Sequence, residues 1–236
     1  MATVVLVRHA RSTANARGTL TGRLKGVHLD ETGQEQAERA GQRLAAVPLA
    51  ALVSSPLERC KETAGALAAA QATPVKVASE RGLVECDYGD WQGRPLKELA
   101  REKLWKVIQR HPASVTFPAG ESMASMSARA VAAVRRHDAL VEAEHGPHGV
   151  WAAVTHGDLV KAILADALGL HLDQFQRLHV DPASMSVVHY AADAAYVLQS
   201  NSHEGDLGWL APRSRSSKAS RPGVVGGGAG PSGSGH

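Results

Sequence analysis

Short apolar runs alternate along the chain with longer stretches in which apolar residues recur at helical spacing. The first short run, residues 3–7, is mainly β-branched and bounded by charge, which is the pattern of a buried strand. Similar runs predict five more strands, so that the expected strands cover 3–7, 49–54, 75–78, 150–155, 186–190 and 195–200.

The longer stretches predict helices between those strands. Thr32 and Glu35 form a Thr-x-x-Glu capping box at the start of one helix, whose inner apolar stripe continues to Val47. Further helices are expected after Pro56 to about residue 70, and over 96–110, 121–141 and 158–168. The methionine and alanine stripe of the 121–141 helix is interpreted as core packing.

Strands that alternate with helices predict an α/β fold, here a layered α/β/α sandwich with a mainly parallel central sheet. In such folds, ligands bind beyond the carboxyl ends of the strands. We expect one folded domain over residues 1–210. Residues 211–236 are rich in Ser, Gly, Pro and Arg and bury too little apolar surface to fold, so they are predicted to be a disordered tail.

The net charge of +3 and the pI near 9.0 would suit a nucleic-acid-binding protein, but the charge is unevenly distributed. Residues 211–236 contain four Lys or Arg residues and no acid, which leaves a net charge of −1 on the preceding 210 residues. A basic face is therefore not expected on the folded domain, and nucleic acid is not an expected partner.

Apolar runs, cysteines and clustered histidines set further limits on location and ligands. No run reaches the roughly 18 apolar residues of a membrane span, and the first, of about six, is too short for a signal-peptide core. Cys60 and Cys86 form no C-x-x-C motif, which fits a reducing compartment. His145 and His148 are interpreted as a solvated turn and not as a metal site. We expect a cytoplasmic protein without a membrane partner, and the oligomeric state stays open, a homo-oligomer included.

Charged and titratable residues follow four of the predicted strands, near the point where each strand ends. Arg8 and His9 follow the first strand, and Arg59 follows the second. Glu85 lies in the loop after the third strand, and His156 follows the fourth. A salt bridge could explain any one of them, but such groups seldom converge without a ligand. The sequence therefore predicts a ligand-binding or catalytic site at one edge of the sheet.

An ordered set of motifs resembles the histidine phosphatase superfamily, which includes the cofactor-dependent phosphoglycerate mutases. The resemblance runs from about residue 3 to residue 190. Its motifs are Leu6-Val7-Arg8-His9-Ala10 with Asn15 and Thr21-Gly22 after it, Ser54-Ser55-Pro56-Leu57-x-Arg59-x-x-x-Thr63, Leu83-x-Glu85-x-x-x-Gly89-x-Trp91-x-Gly93, Pro118-Ala119-Gly120-Glu121-Ser122 and His156-Gly157. An Arg-His pair alone would be weak evidence, whereas the ordered set is specific.

The resemblance implies a definite role for each catalytic residue. His9 would attack phosphorus as the nucleophile and become a phosphohistidine, and Glu85 would protonate the departing oxygen. Arg8, Arg59 and His156 would surround the phosphoryl oxygens, so that neither a metal nor another cofactor is expected. The implied enzyme is a phosphomonoesterase of the histidine acid phosphatase type, and its implied partner is a small-molecule phosphate ester.

A second, overlapping set of residues is expected to bind the substrate. It comprises Arg8, Asn15, Thr21, Gly22, Arg59, Tyr88, His156 and Gly157. For Asn15 and Thr21, a structural role as turn formers is an equally good interpretation. For Glu121, a charge near a helix start and a place in the pocket wall are equally good. Trp91 is interpreted mainly as loop packing.

Three departures from the family pattern bear on stability and on the outcome of the reaction. Ala10 stands where the family usually has glycine, which would cost stability if the position required a positive φ. Asp158 stands where the mutases often have asparagine, and it adds negative charge near the pocket. The segment 95–122 lacks the adjacent arginine pair with which the mutases hold a substrate carboxylate through a second transfer. Water should therefore capture the phosphohistidine, which favours a phosphatase.

Two alternatives to a phosphatase stay open from the sequence. One is a phosphoglycerate-mutase-type phosphotransferase, and the other is a non-catalytic protein that binds a phosphorylated ligand. The physiological ester is also open. Lys97, Arg101, Lys103 and Lys106 could meet an anionic substrate, but a solvated helix face is the better interpretation of these four residues.

Overall fold

The computed structural model describes residues 2–205 and 207–211 and folds them around a six-stranded sheet. The strands are β1 (Thr3–Arg8), β2 (Ala51–Ser54), β3 (Val77–Ser79), β4 (Val150–Thr155), β5 (Met185–Tyr190) and β6 (Ala195–Ser202). Their order across the sheet is β3-β2-β4-β1-β5-β6. The first four positions in this order are parallel to one another, and β5 and β6 are antiparallel additions at one edge. The predicted mainly parallel sheet is confirmed.

Helices cover both faces of this sheet. The α-helices are α1 (Thr13–Ala16), α2 (Glu31–Leu44), α3 (Glu58–Ala69), α4 (Leu96–Leu99), α5 (Lys103–Arg110), α6 (Met123–His145) and α7 (Gly157–Ala167). Short 3-10 helices occupy Arg81–Leu83, Gly89–Trp91, Pro112–Ser114, Leu172–Arg177 and Gly208–Leu210. α2 and α3 pack against one face and α6 and α7 against the other, which makes the fold an α/β/α sandwich.

The central strand β1 shows how the sequence builds both layers. Val4 and Leu6 belong to the core beneath α6 and α7, whereas Val5 and Val7 belong to the core beneath α2 and α3. Successive side chains of a strand point to opposite faces, so a strand covered on both sides requires a continuous apolar run. All four side chains are fully buried, and burial of each stabilises the fold by roughly 1.5–3 kcal/mol.

Parallel pairing aligns the carboxyl ends of the strands. Arg8, the last residue of β1, is paired with Thr155, the last residue of β4. Ser54, the last residue of β2, is paired with Val154, one residue before the end of β4. The chain therefore leaves these strands at a common edge, where His9 and His156 come directly after β1 and β4.

The capping box predicted at Thr32 and Glu35 is wrong. α2 begins at Glu31, and its N-cap is Asp30, whose carboxylate accepts a hydrogen bond from the backbone N–H of Gly33 at 2.8 Å. An aspartate is as good an N-cap acceptor as a threonine and adds a favourable charge at the helix N-terminus. Thr32 consequently lies inside the first turn.

The single helix predicted over 96–110 is also wrong, because the segment forms α4 and α5. The break lies at Glu102, which has extended backbone angles (φ −68°, ψ 143°) in front of α5. Its carboxylate pairs with the guanidinium of Arg94 at 2.8 Å. This tertiary ion pair is not visible in the hydrophobic periodicity, which continues across the break.

The boundaries of the described chain limit two of the predictions. The tail predicted over 211–236 lies outside the described residues except for Ala211, so its disorder and the domain boundary stay predictions. No helix in the described part of the chain is both long enough and apolar enough to cross a membrane.

Candidate active site

The carboxyl edge of the sheet opens into a cavity of about 330 Å³. His156 is fully buried next to it, and the ring centroids of His9 and His156 are 5.2 Å apart. The other nine residues predicted for the site line the cavity, namely Arg8, His9, Asn15, Thr21, Gly22, Arg59, Glu85, Tyr88 and Gly157. The structure therefore brings the whole predicted set together.

The hydrogen bonds of His9 leave one ring nitrogen available to a ligand. Nδ1 lies 2.7 Å from the carbonyl oxygen of Ala10, which can only accept, so Nδ1 carries the hydrogen. Nε2 keeps its lone pair, which receives a long contact of 3.3 Å from Arg59 Nε. Burial, together with the charges of Arg59 and Arg8, holds the pKa of His9 well below its usual range. His9 is therefore a neutral imidazole with a nucleophilic Nε2.

Ala10 fits the position where the resembling family usually has glycine. Its φ is not positive, so a Cβ carries no conformational cost there. The Ala10 N–H donates to Thr63 Oγ1 at 3.1 Å, and that hydroxyl donates to the carbonyl of Arg59 at 2.8 Å. This link ties the segment of His9 to α3, the helix that carries Arg59.

The guanidinium groups of Arg8, which is partly exposed, and Arg59, which is buried, each have a buried donor left unpaired. Arg8 Nη1 donates to the carbonyl of Val180 at 2.7 Å, and Arg59 Nη2 donates to the carbonyl of Gly22 at 2.8 Å. Among the described residues, neither Arg8 Nε nor Arg59 Nη1 has an acceptor, although both atoms are buried. Buried unpaired donors are costly. The geometry therefore suits an anionic ligand whose oxygens accept from both arginines.

Two glycines next to these arginines lie in places where a side chain would not fit freely. Gly22 has a φ of 55°, and a Cβ at this position would lie 2.3 Å from Gln92 Oε1. A Cβ on Gly157, the first residue of α7, would lie 3.3 Å from Arg8 Nε. A larger residue at either position would disturb the turn or the guanidinium that the glycine accommodates.

His156 connects the arginine side of the cavity to the carboxyl side. Its Nε2 lies 2.9 Å from Ser55 Oγ, and its Nδ1 lies 3.3 Å from Arg59 Nη2 and 3.6 Å from Glu85 Oε2. Burial, reinforced by the charge of Arg59, holds the pKa of His156 well below its usual range. The ring is thus neutral and fixed between a guanidinium and a carboxyl group.

Glu85 has the properties of a carboxyl group that holds a proton near neutral pH. Oε1 accepts a hydrogen bond from the backbone N–H of Cys86 at 2.9 Å, and Oε2 lies toward His156. Burial, reinforced by the nearby carboxylate of Asp158, raises the pKa of Glu85 to about 7, although the guanidinium groups act in the opposite direction. A group with this pKa can both donate and accept a proton at neutral pH.

A charged network that sequence reasoning missed fixes the loop that carries Glu85. Arg23 Nε and Arg129 Nη2 both donate to the backbone carbonyl of Glu85, at 2.9 and 3.0 Å. Both guanidinium groups also pair with Glu121 Oε1, at 2.8 and 2.6 Å. Glu121 does not line the cavity. It lies just before Ser122, the N-cap of α6, and anchors the two arginines that hold the Glu85 loop.

Asn15 has a structural role and a place in the cavity wall at the same time. Its Oδ1 accepts from the backbone N–H and the hydroxyl of Ser12, at 3.0 and 2.9 Å, which forms the capping box of α1. Asn15 also lines the cavity together with Thr21. The structural and ligand-facing interpretations of Asn15 are therefore compatible.

Tyr88 and Asp158 form a polar pair in the cavity wall. The Tyr88 hydroxyl donates to Asp158 Oδ2 at 2.7 Å, and burial holds the pKa of Tyr88 well above its usual range. Trp91 packs as predicted, because only 4% of it is exposed and its ring contacts Trp105 and Phe117. The remaining exposed part of Trp91 belongs to the cavity wall.

Other side chains that could bind a metal ion or undergo redox chemistry lie outside the cavity. The described residues contain no group of three or more His, Cys, Asp or Glu side chains that could hold a metal ion. His145 and His148 are exposed around the turn after α6. Cys60 and Cys86 are buried free thiols, and burial raises the pKa of Cys60 to about 12, so it is protonated at neutral pH.

The chain is similar to known proteins in both sequence and structure. The sequence model described as histidine phosphatase superfamily (branch 1) matches residues 4–203. Phosphoserine phosphatase 1 from Hydrogenobacter thermophilus is 33% identical over 204 residues, which cover 85% of this chain and 92% of that protein. A probable phosphoglycerate mutase from Yersinia enterocolitica is 30% identical over 192 residues, 80% of this chain and 86% of that protein. The structure of mycobacterial glucosyl-3-phosphoglycerate phosphatase with VO3 superimposes with a TM-score of 0.76 at 25% identity, over 84% of this chain and 98% of that one.

Proposed function

Because the chain belongs to the histidine phosphatase superfamily (branch 1), we propose that it hydrolyses small-molecule phosphate monoesters through a phosphohistidine formed on His9. One observation carries the proposal. The neutral Nε2 of His9 lies beside buried donors of Arg8 and Arg59 that have no acceptor among the described residues. A phosphoryl group suits this arrangement, because its oxygens can accept from the arginines while Nε2 reaches the phosphorus. Relatives named as phosphatases support hydrolysis as the overall reaction.

In the first step, Nε2 of His9 attacks phosphorus, so that an N–P bond forms while the ester P–O bond breaks. Glu85 starts protonated and gives its proton to the departing oxygen, which leaves as a neutral alcohol. Arg8 and Arg59 bind the phosphoryl oxygens, and His156 holds Arg59 in place. These charges are fixed before the substrate arrives, so they stabilise the transition state without reorganisation.

In the second step, water attacks the phosphorus of the phosphohistidine. Glu85, now ionised, takes a proton from that water as the N–P bond breaks. Inorganic phosphate and neutral His9 are the products, and Glu85 is protonated again for the next cycle. A single carboxyl with a pKa of about 7 serves as the acid in one step and as the base in the other.

Charges around the leaving group favour hydrolysis over transfer to a second substrate oxygen. In the described part of the chain, the lysine and arginine side chains that line the cavity are Arg8, Arg59 and Lys161. Both arginines bind the phosphoryl group in this proposal, Lys161 donates to Gln176, and Asp158 adds negative charge to the cavity wall. A carboxylate product is therefore held weakly, and water replaces it.

A phosphoglycerate-mutase-type phosphotransferase is the second candidate, because a probable phosphoglycerate mutase is 30% identical to this chain. The two candidates differ in the fate of the phosphoryl group. Isomerisation of 3-phosphoglycerate in the presence of a bisphosphorylated primer, at a rate above phosphate release, would favour the mutase and contradict a phosphatase.

The purified protein is expected to release inorganic phosphate from p-nitrophenyl phosphate at the same rate with and without EDTA, because no step of the proposed mechanism uses a metal. The measurement is phosphate release over time, with substrate protection against thermal unfolding recorded in parallel. Protection without turnover would indicate the non-catalytic alternative and contradict the proposal. Loss of activity in EDTA that a divalent metal restores would contradict the metal-free mechanism.

The activity is expected to fall as the pH rises through the pKa of Glu85. The first step needs Glu85 protonated, and burial with Asp158 raises its pKa to about 7. Once corrected for ionisation of the substrate, kcat/KM for an alkyl ester should fall about tenfold per pH unit on the alkaline side. His9 should add no loss between neutral and mildly acidic pH, because its pKa lies well below the usual range.

The Asp158→Asn variant tests the cause of this pH dependence. Removing a like charge lowers the pKa of Glu85, so the fall of kcat/KM on the alkaline side (the alkaline limb of the pH profile) should move to lower pH. The amide oxygen of asparagine can still accept from the Tyr88 hydroxyl. Asp193→Asn, at an exposed aspartate outside the cavity, is the matched control and should leave the profile in place. A limb that stays fixed or moves to higher pH in Asp158→Asn would rule out this tuning.

A further inference from the structure

Two kinds of side chain line the cavity. His9, Arg8 and Arg59 line it where the phosphoryl group is proposed to bind. Five apolar side chains, which we call the apolar wall, also line it, namely Leu20, Leu96, Trp105, Ile108 and Phe117. A cavity of about 330 Å³ takes a small organic molecule and not only a phosphate group. The apolar wall is thus where the alcohol part of an ester would lie.

The helix α5 contributes two apolar side chains and the polar Gln109 to the lining of this cavity. Trp105 and Ile108 are three residues apart, lie on one side of the helix and line the cavity. The basic residues of the same helix, Lys103, Lys106 and Arg110, are exposed and do not line it. Lys97 and Arg101, which the sequence analysis also considered as contacts for an anionic substrate, do not line the cavity either.

The aromatic side chains that line the cavity pack against one another. The ring of Trp105 stacks on Trp91 with centroids 6.2 Å apart and planes inclined by 23°. Trp91 in turn meets Phe117 edge to face, with centroids 5.6 Å apart. Such packing holds the rings in fixed positions, so an apolar ligand can bind to them without ordering them first.

The charged side chains Asp158 and Lys161 of the cavity wall do not favour binding of a substrate carboxylate. Asp158 contributes a negative charge, and its partner is the Tyr88 hydroxyl. Lys161 lies one turn farther along α7, where its ammonium group donates to Gln176 Oε1 at 3.0 Å. Both residues line the cavity, so a substrate carboxylate would be repelled by Asp158, whereas the Lys161 ammonium group already donates to Gln176.

We propose that the preferred substrate is a phosphate monoester whose alcohol carries an apolar, ring-sized group and no carboxylate beside the ester, with the ring packed against Trp105 and Ile108. The inference rests on the proposed phosphatase function and extends it to the class of alcohol. Leu20 and Leu96 close the same wall from the chain segments before and after the Glu85 loop.

The test compares 2-phenylethyl phosphate with ethyl phosphate, two primary esters that differ by one phenyl ring. O-phosphoserine and 3-phosphoglycerate serve as carboxylate-bearing esters. We expect kcat/KM for 2-phenylethyl phosphate to exceed that for ethyl phosphate by about tenfold or more, from burial of the ring. It should also exceed the values for both carboxylates.

Two tryptophan variants test whether the preference for the phenyl ester depends on Trp105. Trp105→Ala should lower the ratio of kcat/KM for 2-phenylethyl phosphate to that for ethyl phosphate by about fivefold or more. Trp209→Ala, at a tryptophan that is 42% exposed and outside the cavity, should leave this ratio unchanged. The ratio is insensitive to a loss of correctly folded enzyme, because both substrates lose the same fraction.

The outcomes separate this inference from the function on which it rests. Equal kcat/KM for the two alkyl esters, or a higher value for either carboxylate ester, would overturn the substrate class while His9-dependent hydrolysis stands. A ratio unchanged in Trp105→Ala would overturn the assigned wall. No His9-dependent phosphate release from any of the esters would overturn both proposals.

Discussion

The His9→Ala protein is expected to release phosphate from p-nitrophenyl phosphate about 10⁴-fold or more slowly than the wild type, the scale on which enzymes lose activity when a covalent nucleophile is removed. Nε2 of His9 presents at the cavity wall a lone pair that receives only a long contact from Arg59 Nε, at 3.3 Å, and the other nucleophiles nearby are poor substitutes. The Ser12 hydroxyl also lines the cavity, but it donates to Asn15. The Cys60 thiol is buried, and its pKa is raised to about 12.

The matched control for this variant is His148→Ala, which removes an exposed histidine outside the cavity. It should retain wild-type turnover. Thermal unfolding of His9→Ala, with and without inorganic phosphate, shows whether the variant is folded and whether the arginines still bind the anion. A folded His9→Ala protein with turnover close to wild type would remove the nucleophile from the mechanism.

The Glu85→Gln protein is expected to hydrolyse ethyl phosphate about 10²- to 10⁴-fold more slowly than the wild type, the range for loss of a general acid. Glutamine has the shape of glutamate, and its carbonyl can still accept from the Cys86 N–H, so the loop should keep its position. The amide cannot supply the proton that an alkoxide leaving group needs. Chemistry on p-nitrophenyl phosphate should be impaired less, because p-nitrophenolate leaves without protonation.

Glu144→Gln is the control for Glu85→Gln, since its side chain is 80% exposed and lies outside the cavity. Steady-state kinetics with both esters provide the comparison, and the first turnover with p-nitrophenyl phosphate isolates the bond-breaking step. Equal losses of that step for the two esters would show that Glu85 does not act as the acid.

Much of the site could be predicted because it follows from the topology of the sheet. The strands before His9 and His156 are continuous apolar runs, and parallel strands place their carboxyl ends at one edge. The order of the motifs then indicated which titratable residues meet there. Arg59 could be added to this set because it lies in the first turn of α3, the helix that follows the parallel strand β2.

The network around Glu121 could not be predicted in the same way. Arg23 lies in a loop, Arg129 lies within a long helix, and Glu121 precedes that helix. In the sequence, Glu121 fits a charge near a helix start or a place in the pocket wall equally well, and no motif singles out Arg23 or Arg129. Only the folded chain brings the two guanidinium groups onto one carboxylate and onto the carbonyl of Glu85.

The apolar wall shows a second limit of sequence patterns. The spacing of Trp105 and Ile108 indicates one face of a helix, but it does not indicate whether that face meets the core or a cavity. The ends of helices are also hard to predict, since the chain breaks at Glu102 before α5 although the apolar pattern continues, and α2 begins after an aspartate N-cap. Contacts made in the folded chain decide such features.

The most direct test of the mechanism is to identify the residue that carries the phosphoryl group during turnover. Glu85→Gln should accumulate the phosphoenzyme from p-nitrophenyl phosphate, because the leaving group needs no acid while hydrolysis still needs the Glu85 base. After a rapid alkaline quench and proteolysis, mass spectrometry should find one phosphoryl group on the peptide that contains His9, and on the His9 side chain. A phosphoryl group on any other residue, or full turnover with no phosphorylated peptide at any time, would contradict a phosphohistidine at His9.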